Sequence, residues 1–573
     1  MGLGHAGLGD DPRAGRDLGN DPLSLRPDRV HAAHVGGRRG RGPRMRVLRR
    51  GTLGTLGTLA LGGFAILALS AAPPLSAQED AAAAGKVVYD RWCAECHGET
   101  GQGDGSAAAS MLPRPRDFTQ ALYQIRTTGS GQLPTDADIR FAIENGLPGT
   151  TMPGWPNLTD GEIDDLIVYL KSFSRFFGQG PAPEPLDFGS DPGGGPAAIE
   201  AGAAAYLTML CEECHGLSGR GDGTSAPTLE DWRGLPIRAA DLTEAWVLNG
   251  GSSVEDMHTR MLTGLDGTPM PSAIDAMNSG VVSPDEVWQL AHYLASLGPR
   301  EMPPLREVIR VGRAEAGLPA DGEEEAWAGV EAFYFPMSGQ VVQLPRNFAP
   351  AVDGLWVQGL HDGSDIALRV QWNDPSNSPD PNWDEWQNKI TAALDLDGAE
   401  PIALDSAGAP TARPPDAVLL QFPFEPPEGT DRPYFLMGDA REPVYLWTWD
   451  SETGVGAGRG RGLDSVEPLG EDPVTGEATW EEGRWTLYLR RSIEVESDGL
   501  DFAEGAPMPI AFQAWDGSSA EVGKRSSVST WYYILLEPPA SSTVVVTPLL
   551  AMLLTGAFGL VLVRRAQDRR RDG

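Results

Sequence analysis

At 573 residues the chain is too long for one ordinary domain, and 41% hydrophobic residues with 16 tryptophans exclude a disordered polymer. A formal charge of −35 excludes unaided nucleic-acid binding, because so acidic a body repels phosphates. Both ends are Arg-rich, so the middle is more acidic still, a surface that can steer basic partners or simply stay solvated.

Residues 1–44 are Gly/Arg/Asp-rich without apolar periodicity. A start at Met45 in place of Met1 gives a basic segment (Arg46, Arg49, Arg50), an apolar run from Leu53 to Ala72, and Leu75-Ser76-Ala77, a pattern typical of cleavage. Residues 1–77 therefore read as an extension and export signal, with an uncleaved N-terminal anchor as the alternative.

In 78–177 a short helix, Ala82 to Trp92, delivers Cys93-Ala94-Glu95-Cys96-His97. After a linker at 178–196, region 197–298 repeats the order with Cys211-Glu212-Glu213-Cys214-His215. Two cysteines spaced for the vinyl groups of haem, with a histidine beside the second, are the attachment signature of c-type haem. All four cysteines of the chain are used this way. A disulfide or zinc pair would leave both histidines unexplained.

The surroundings repeat as well. Gly101, Gly103, Asp104 and Gly105 stand at the offsets of Gly219, Gly221, Asp222 and Gly223. The frame Gly146-Leu147-Pro148-Gly149-Thr150-Thr151-Met152-Pro153 matches Gly264-Leu265-Asp266-Gly267-Thr268-Pro269-Met270-Pro271, and each methionine lies equally far beyond its histidine. Met152 and Met270 are thus the expected sixth ligands, giving two covalent His/Met haems suited to electron transfer rather than to catalysis at the iron. No catalytic residue is assigned. Helices are expected at Asp136 to Asn145, Ile163 to Phe173 (from a capping box at Thr159), around Asp256 to Leu262, and after Ser283-Pro284. Arg114, Arg116 and Arg238 are candidates to pair with haem propionates or to form surface salt bridges, and His258 and His292 read as packing or surface residues. Both regions resemble class I cytochrome c, an all-α fold with haem between its packed terminal helices.

After a linker at 299–324, short alternating runs change the character of the chain. Ala367 to Trp372, Val444 to Trp449 and Trp485 to Arg490 read as strands, and Asn373-Asp374-Pro375, Asp397-Gly398, Pro427-Glu428-Gly429 and Asp516-Gly517 as turns. With little helical pattern, 325–540 is expected to be an all-β sandwich. Leu368-Arg369-Val370-Gln371-Trp372-Asn373-Asp374, Tyr434-Phe435-Leu436-Met437-Gly438-Asp439 and Ala514-Trp515-Asp516-Gly517 through Trp531 resemble the haem-b-binding γ subunit of ethylbenzene dehydrogenase and its relatives in the dimethyl-sulfoxide-reductase family. The resemblance implies one non-covalent haem b held by a methionine and a lysine, which map to Met437 and Lys524. Lys524 is displaced by two positions from the family's place, where this chain has Ser526. A haem-free sandwich is the alternative.

Thr543 to Val563 carries no charge and is long enough to cross a bilayer at 1.5 Å per residue. The basic tail 564–573 follows, which favours a cytoplasmic C-terminus and a single-pass protein of the inner (cytoplasmic) membrane, its bulk on the periplasmic side. The expectation is a membrane-anchored periplasmic electron carrier. By resemblance its partners are a molybdopterin catalytic subunit with an iron–sulfur subunit, and soluble cytochromes or other respiratory carriers. Two other functions stay open: a dihaem enzyme like thiosulfate dehydrogenase or a peroxidase, and a cytochrome fused to a carbohydrate-binding-like sandwich.

Overall fold

The computed structural model describes residues 75–394, 413–424, 432–470, 474–495, 500–539 and 542–571. The basic and apolar parts of the expected export signal, and the turns at Asp397-Gly398 and Pro427-Glu428-Gly429, lie outside them.

Two helical regions come first. In the first, the helix Leu75–Trp92 crosses Asp160–Ser172, and Asp136–Asn145 packs beside them. In the second, Pro196–Thr208 crosses Pro284–Leu294, with Val254–Thr263 alongside. Glycine permits both crossings. A Cβ on Gly85 would fall 2.0 Å from the Asp165 carbonyl oxygen, and one on Gly202 would fall 2.1 Å from that of Gln289. Four helices begin with reciprocal capping boxes, Thr135/Asp138, Thr159/Glu162, Ser253/Asp256 and Ser283/Glu286, so their first-turn N–H groups are satisfied locally.

The β region comprises β1 (Val308–Arg313), β2 (Phe333–Pro336), β3 (Ser338–Gly339), β4 (Gly354–His361), β5 (Asp365–Asn373), β6 (Ala417–Pro423), β7 (Val444–Asp450), β8 (Gly454–Gly460), β9 (Val466–Pro468), β10 (Thr475–Glu481), β11 (Arg484–Ser492), β12 (Pro507–Trp515), β13 (Ser527–Val528) and β14 (Tyr532–Leu536). Their hydrogen-bonded order is β10-β11-β5-β4-β1-β14-β12-β6-β7-β8-β9. The sheet folds over so that Trp372 and Trp485 of one half pack with Trp449 of the other in a continuous apolar core. β1 is parallel to both β4 and β14 and joins the halves.

Two corrections to the sequence reading arise here. Residues 299–324 are not simply a linker, because β1 lies in them with Ile309 and Val311 fully buried; a strand with two inward residues leaves little pattern to find. Within the β region, Asp384–Ala393 is a helix. Its Trp383, Trp386, Ile390 and Leu394 cover Ala226 and Leu112 of the helical regions, so its apolar stripe serves the join between regions rather than the sandwich core.

Ser542–Arg571 forms one helix, and the most apolar 18-residue stretch of its span Val546–Arg571 has a mean hydropathy of 2.2 with none of it buried against the rest of the protein. It is long and apolar enough to cross a membrane.

Candidate haem sites

Each C-x-x-C-H sits on a one-turn helix at the end of a long one. Tyr89 Oη donates to the Gly98 carbonyl at 2.6 Å and Tyr206 Oη to that of Gly216 at 2.6 Å, so the same phenol anchors both turns. The second region carries one more residue between tyrosine and cysteine. Leu210 absorbs it in the left-handed conformation (φ 58), and the Cys211 N–H reaches back to Tyr206 where the Cys93 N–H reaches Tyr89.

The histidines are matched. His97 Nδ1 lies 3.0 Å from the Arg116 carbonyl oxygen and His215 Nδ1 lies 2.9 Å from that of Ala240. A carbonyl only accepts, so Nδ1 carries the proton and Nε2 keeps its lone pair for a metal. Burial keeps both imidazoles neutral, pushing His97 down to about 4 and His215 in the same direction. Burial also pushes the Cys93 thiol up to about 12 and Cys211 up to about 11. Such a site disfavours thiolate but costs an uncharged thioether nothing, so the donors fit covalent haem better than a zinc centre. All four cysteines are free of disulfides, and Cys96 and Cys214 stand half-buried beside their partners.

Met152 and Met270 occupy equivalent loops. The Met152 N–H donates to Thr150 Oγ1 at 3.1 Å and the Met270 N–H to Thr268 Oγ1 at 3.2 Å, while Leu147 and Leu265 donate to the methionine carbonyls. A Cβ on Gly146 or on Gly264 would strike the returning strand of the loop, which explains the glycine opening each frame. Met270 packs against the apolar core of the second region.

The frames differ at two positions, Pro148 against Asp266 and Thr151 against Pro269, and the structure explains the first. Arg126 of the first region is fully buried, and its guanidinium donates to Asp266 Oδ1 at 2.8 Å and to the Thr263 carbonyl at 2.6 Å. Asp266 also accepts from Ser130 Oγ and from the Gly131 N–H. Arg260 answers by donating to the Arg126 carbonyl at 2.8 Å. The methionine loop of the second region is thereby clamped to the first, and sequence reasoning missed the clamp because its partners lie far apart in the chain.

Of the arginines considered for propionates, Arg238 turns to the sandwich, donating to Asp516 Oδ2 at 3.1 Å and to the Ala351 carbonyl at 3.2 Å. Arg114 donates to the Ala108 and Ala393 carbonyls. Arg116 is half-buried beside Tyr123 and donates to the Leu122 carbonyl; the Tyr123 hydroxyl is buried without a partner, as is Arg260 Nε. His258 is buried and stacked on Trp288, and His292 pairs with Asp191 at 3.0 Å.

In the sandwich, Met437 is buried among Leu419, Val444 and Leu446, with Leu463, Trp515 and Trp531 against them. Its backbone is left-handed (φ 61), uncommon for a bulky residue, and is held by Met437 N–H donating to Gln421 Oε1 at 3.1 Å and by Gly462 N–H donating to the Met437 carbonyl at 2.8 Å. Lys524 Nζ pairs with Asp464 Oδ2 at 2.6 Å. Leu463, beside Asp464, packs on the Met437 cluster, and Trp515 of that cluster donates to the Gly523 carbonyl beside Lys524. The chain neighbours of Asp464 and Lys524 thus reach the Met437 patch, while the Lys524 amine itself is held by Asp464; a thioether and an amine are the donor types that the resemblance implies for haem b.

The cytochrome c family model matches residues 82–174 and 199–298, and the chain carries two cytochrome c domains fused to the β domain. It is 26% identical over 215 residues to a Haloferax mediterranei protein named as a respiratory nitrate reductase heme subunit, covering 37% of this chain and 67% of the other. It is 29% identical over 102 residues to the dimethylsulfide dehydrogenase subunit gamma of Rhodovulum sulfidophilum, covering 16% of this chain and 38% of that one. A chain of the Kuenenia stuttgartiensis reducing HAO-like protein complex is 44% identical, covering 38% of this chain and 96% of its own, with a TM-score of 0.36. This chain spans about two thirds of the haloarchaeal protein and less than half of the Rhodovulum subunit.

Proposed function

We propose that this protein, two cytochrome c domains fused to a sandwich resembling a molybdoenzyme γ subunit, is a membrane-anchored electron relay with three haems. Cys93 and Cys96 would hold one haem c, with His97 and Met152 as its iron ligands; Cys211 and Cys214 would hold the second, with His215 and Met270. Met437 and Lys524 hold a haem b, for which Lys524 must leave Asp464 and lose its proton. Each iron, once bound, carries one electron. The protein's own work is to fill both axial positions and exclude water, which favours electron transfer over chemistry at an open iron.

The observation that carries this reading is the duplicated imidazole-to-carbonyl bond together with a threonine-braced methionine loop repeated at the same offset in each domain. The relatives are named as subunits of nitrate reductase and dimethylsulfide dehydrogenase, and on that ground the partner is a molybdopterin oxidoreductase complex exchanging electrons with respiratory carriers. The apolar C-terminal helix is the anchor, and the arginines at its end favour the cytoplasmic side, leaving the haem domains periplasmic.

The test is a haem count on the full chain, made in a host that matures c-type haem. Two covalent haems and one acid-extractable haem per chain are expected, with low-spin spectra. Two covalent haems and none extractable, even after haem is supplied, would remove haem b; high-spin c haems would remove the methionine ligands.

A further inference from the structure

Three aspartates meet at one end of the sandwich: Asp374 just beyond β5, Asp416 just before β6, and Asp516 just beyond β12. Each is at most 1% exposed, and one carboxylate oxygen from each lies within 4.8 Å of the others. Asp416 accepts from the N–H groups of Gly517 (2.9 Å) and Ser378 (2.7 Å) and from Trp485 Nε1 (3.1 Å). Asp516 accepts from Ser519 and Ser518 and from Arg238. Asp374 Oδ1 accepts from the Ser376 N–H and hydroxyl, but its Oδ2 is buried with no hydrogen-bond partner. A buried carboxylate oxygen left unpaired is costly, and it marks a place where a ligand belongs.

Charge points to the ligand. Arg238 pairs with Asp516, and the buried Arg525 and Glu521 beside it offset one another, so three carboxylates meet one net guanidinium charge and two negative charges are left to compensate in a dry site. One divalent cation cancels them. All-oxygen donors favour calcium or magnesium over zinc or copper, and ligands from three irregular loops suit the flexible coordination of calcium.

We propose that Asp374, Asp416 and Asp516 bind a structural calcium ion. The ion ties together the loops after β5, before β6 and after β12. Through Asp516 and Arg238 it also fastens the sandwich to the second cytochrome domain, so its loss loosens that junction as well as the sandwich.

The test uses the full, haem-loaded chain in detergent, stripped with EDTA and dialysed against radiocalcium in physiological salt with excess magnesium, which occupies the weak carboxylate sites of so acidic a surface. One calcium per chain is expected to be held, with affinity weakened about tenfold or more in Asp374→Asn, which keeps the shape and the Oδ1 acceptor. The melting temperature of the wild-type sandwich, followed by far-ultraviolet circular dichroism, is expected to rise with calcium. Equal calcium binding by wild type and variant would overturn the proposal. So would a wild-type melting temperature indifferent to calcium and to EDTA, a result that needs no variant to fold; the carboxyls would then be held by shared protons.

Discussion

The two haem sites share a frame but stand in opposite fields. Around His97 the nearby charges are cationic, Arg116 and Arg233, whereas around His215 the nearby charge is Asp241. The contrast begins in sequence, where Arg116-Asp117-Phe118 becomes Ala240-Asp241-Leu242. It grows in packing, because the second domain meets the sandwich beside its C-x-x-C-H frame: Asn373 donates to Asp241 Oδ2 at 2.5 Å, and Glu244 is buried at the same join with Asp353 facing it. A duplicated motif fixes the ligands, and the surroundings tune what the ligands hold. Positive charge disfavours the ferric state, so the site at His97 is expected to have the higher potential and the site at His215 the lower.

The largest effect tests what holds the two fields side by side. Asp266→Ala leaves the fully buried Arg126 without its carboxylate, and breaking a buried pair costs about 3–5 kcal/mol. Asp266 keeps 12% of its side chain exposed, which places the loss toward the lower figure. Denaturation of the cytochrome region should move to markedly lower denaturant while both haems stay attached; an unchanged midpoint would remove the clamp from the account.

Next comes the field itself. Burial pushes the Arg116 guanidinium down to about 10, so it stays charged at neutral pH. Coulomb's law at an effective dielectric of about 20 makes a nearby unit charge worth on the order of 1–3 kcal/mol. Arg116→Leu should lower the potential of the first haem by up to that amount and leave the second where it was. Spectroelectrochemical titration resolves the two, and an equal shift in both would sink the comparison.

The third effect is a pH dependence belonging to one site only. Burial, with Asp353 and Asp241 facing it, pushes Glu244 from 4.5 up to about 9, and Arg484 and Trp356 oppose the shift. The folded chain therefore holds a proton that the unfolded chain has released. Its contribution to stability is full below pH 4.5 and is lost as pH rises toward 9. The folded chain itself releases that proton only near pH 9, so the potential at His215 should fall there, as negative charge is added to the second domain, while that at His97 stays flat. Glu244→Gln should remove most of the slope; a slope that survives intact assigns it elsewhere.

The covalent chemistry was the legible part. Attachment of haem forces cysteines and histidine into one short run, and a methionine loop repeated with its glycines and threonine announces itself without coordinates. The long alternating strands were legible too, since β5, β7 and β11 carry enough period to be seen. What escaped was whatever depends on partners distant in the chain. Asp266 stood out as the departure from Pro148, yet nothing near it in sequence names Arg126. The helix Asp384–Ala393 hides its stripe among polar residues because it packs between regions. The aspartate cluster is assembled from three separate turns, each of which alone reads as an ordinary loop.

The smallest effect probes the single extra residue that separates the two tyrosine-to-cysteine turns. Leu210 takes φ 58 and is 62% exposed, so its side chain gains little from packing while its backbone pays the left-handed penalty of about 1–2 kcal/mol. Glycine has no such penalty but loses more freedom on folding, which offsets part of the gain. Leu210→Gly should therefore stabilise the second domain by about 0.5–1 kcal/mol. The matching change in the first domain, Trp92→Gly, should destabilise it, because Trp92 ends a regular helix and packs at a tilt against Trp155, ring centroids 5.1 Å apart. Opposite signs at equivalent positions would show that the domains share a haem frame but not the backbone that delivers it. Destabilisation at both would mean that the left-handed turn at Leu210 is held by its side chain rather than tolerated in spite of it.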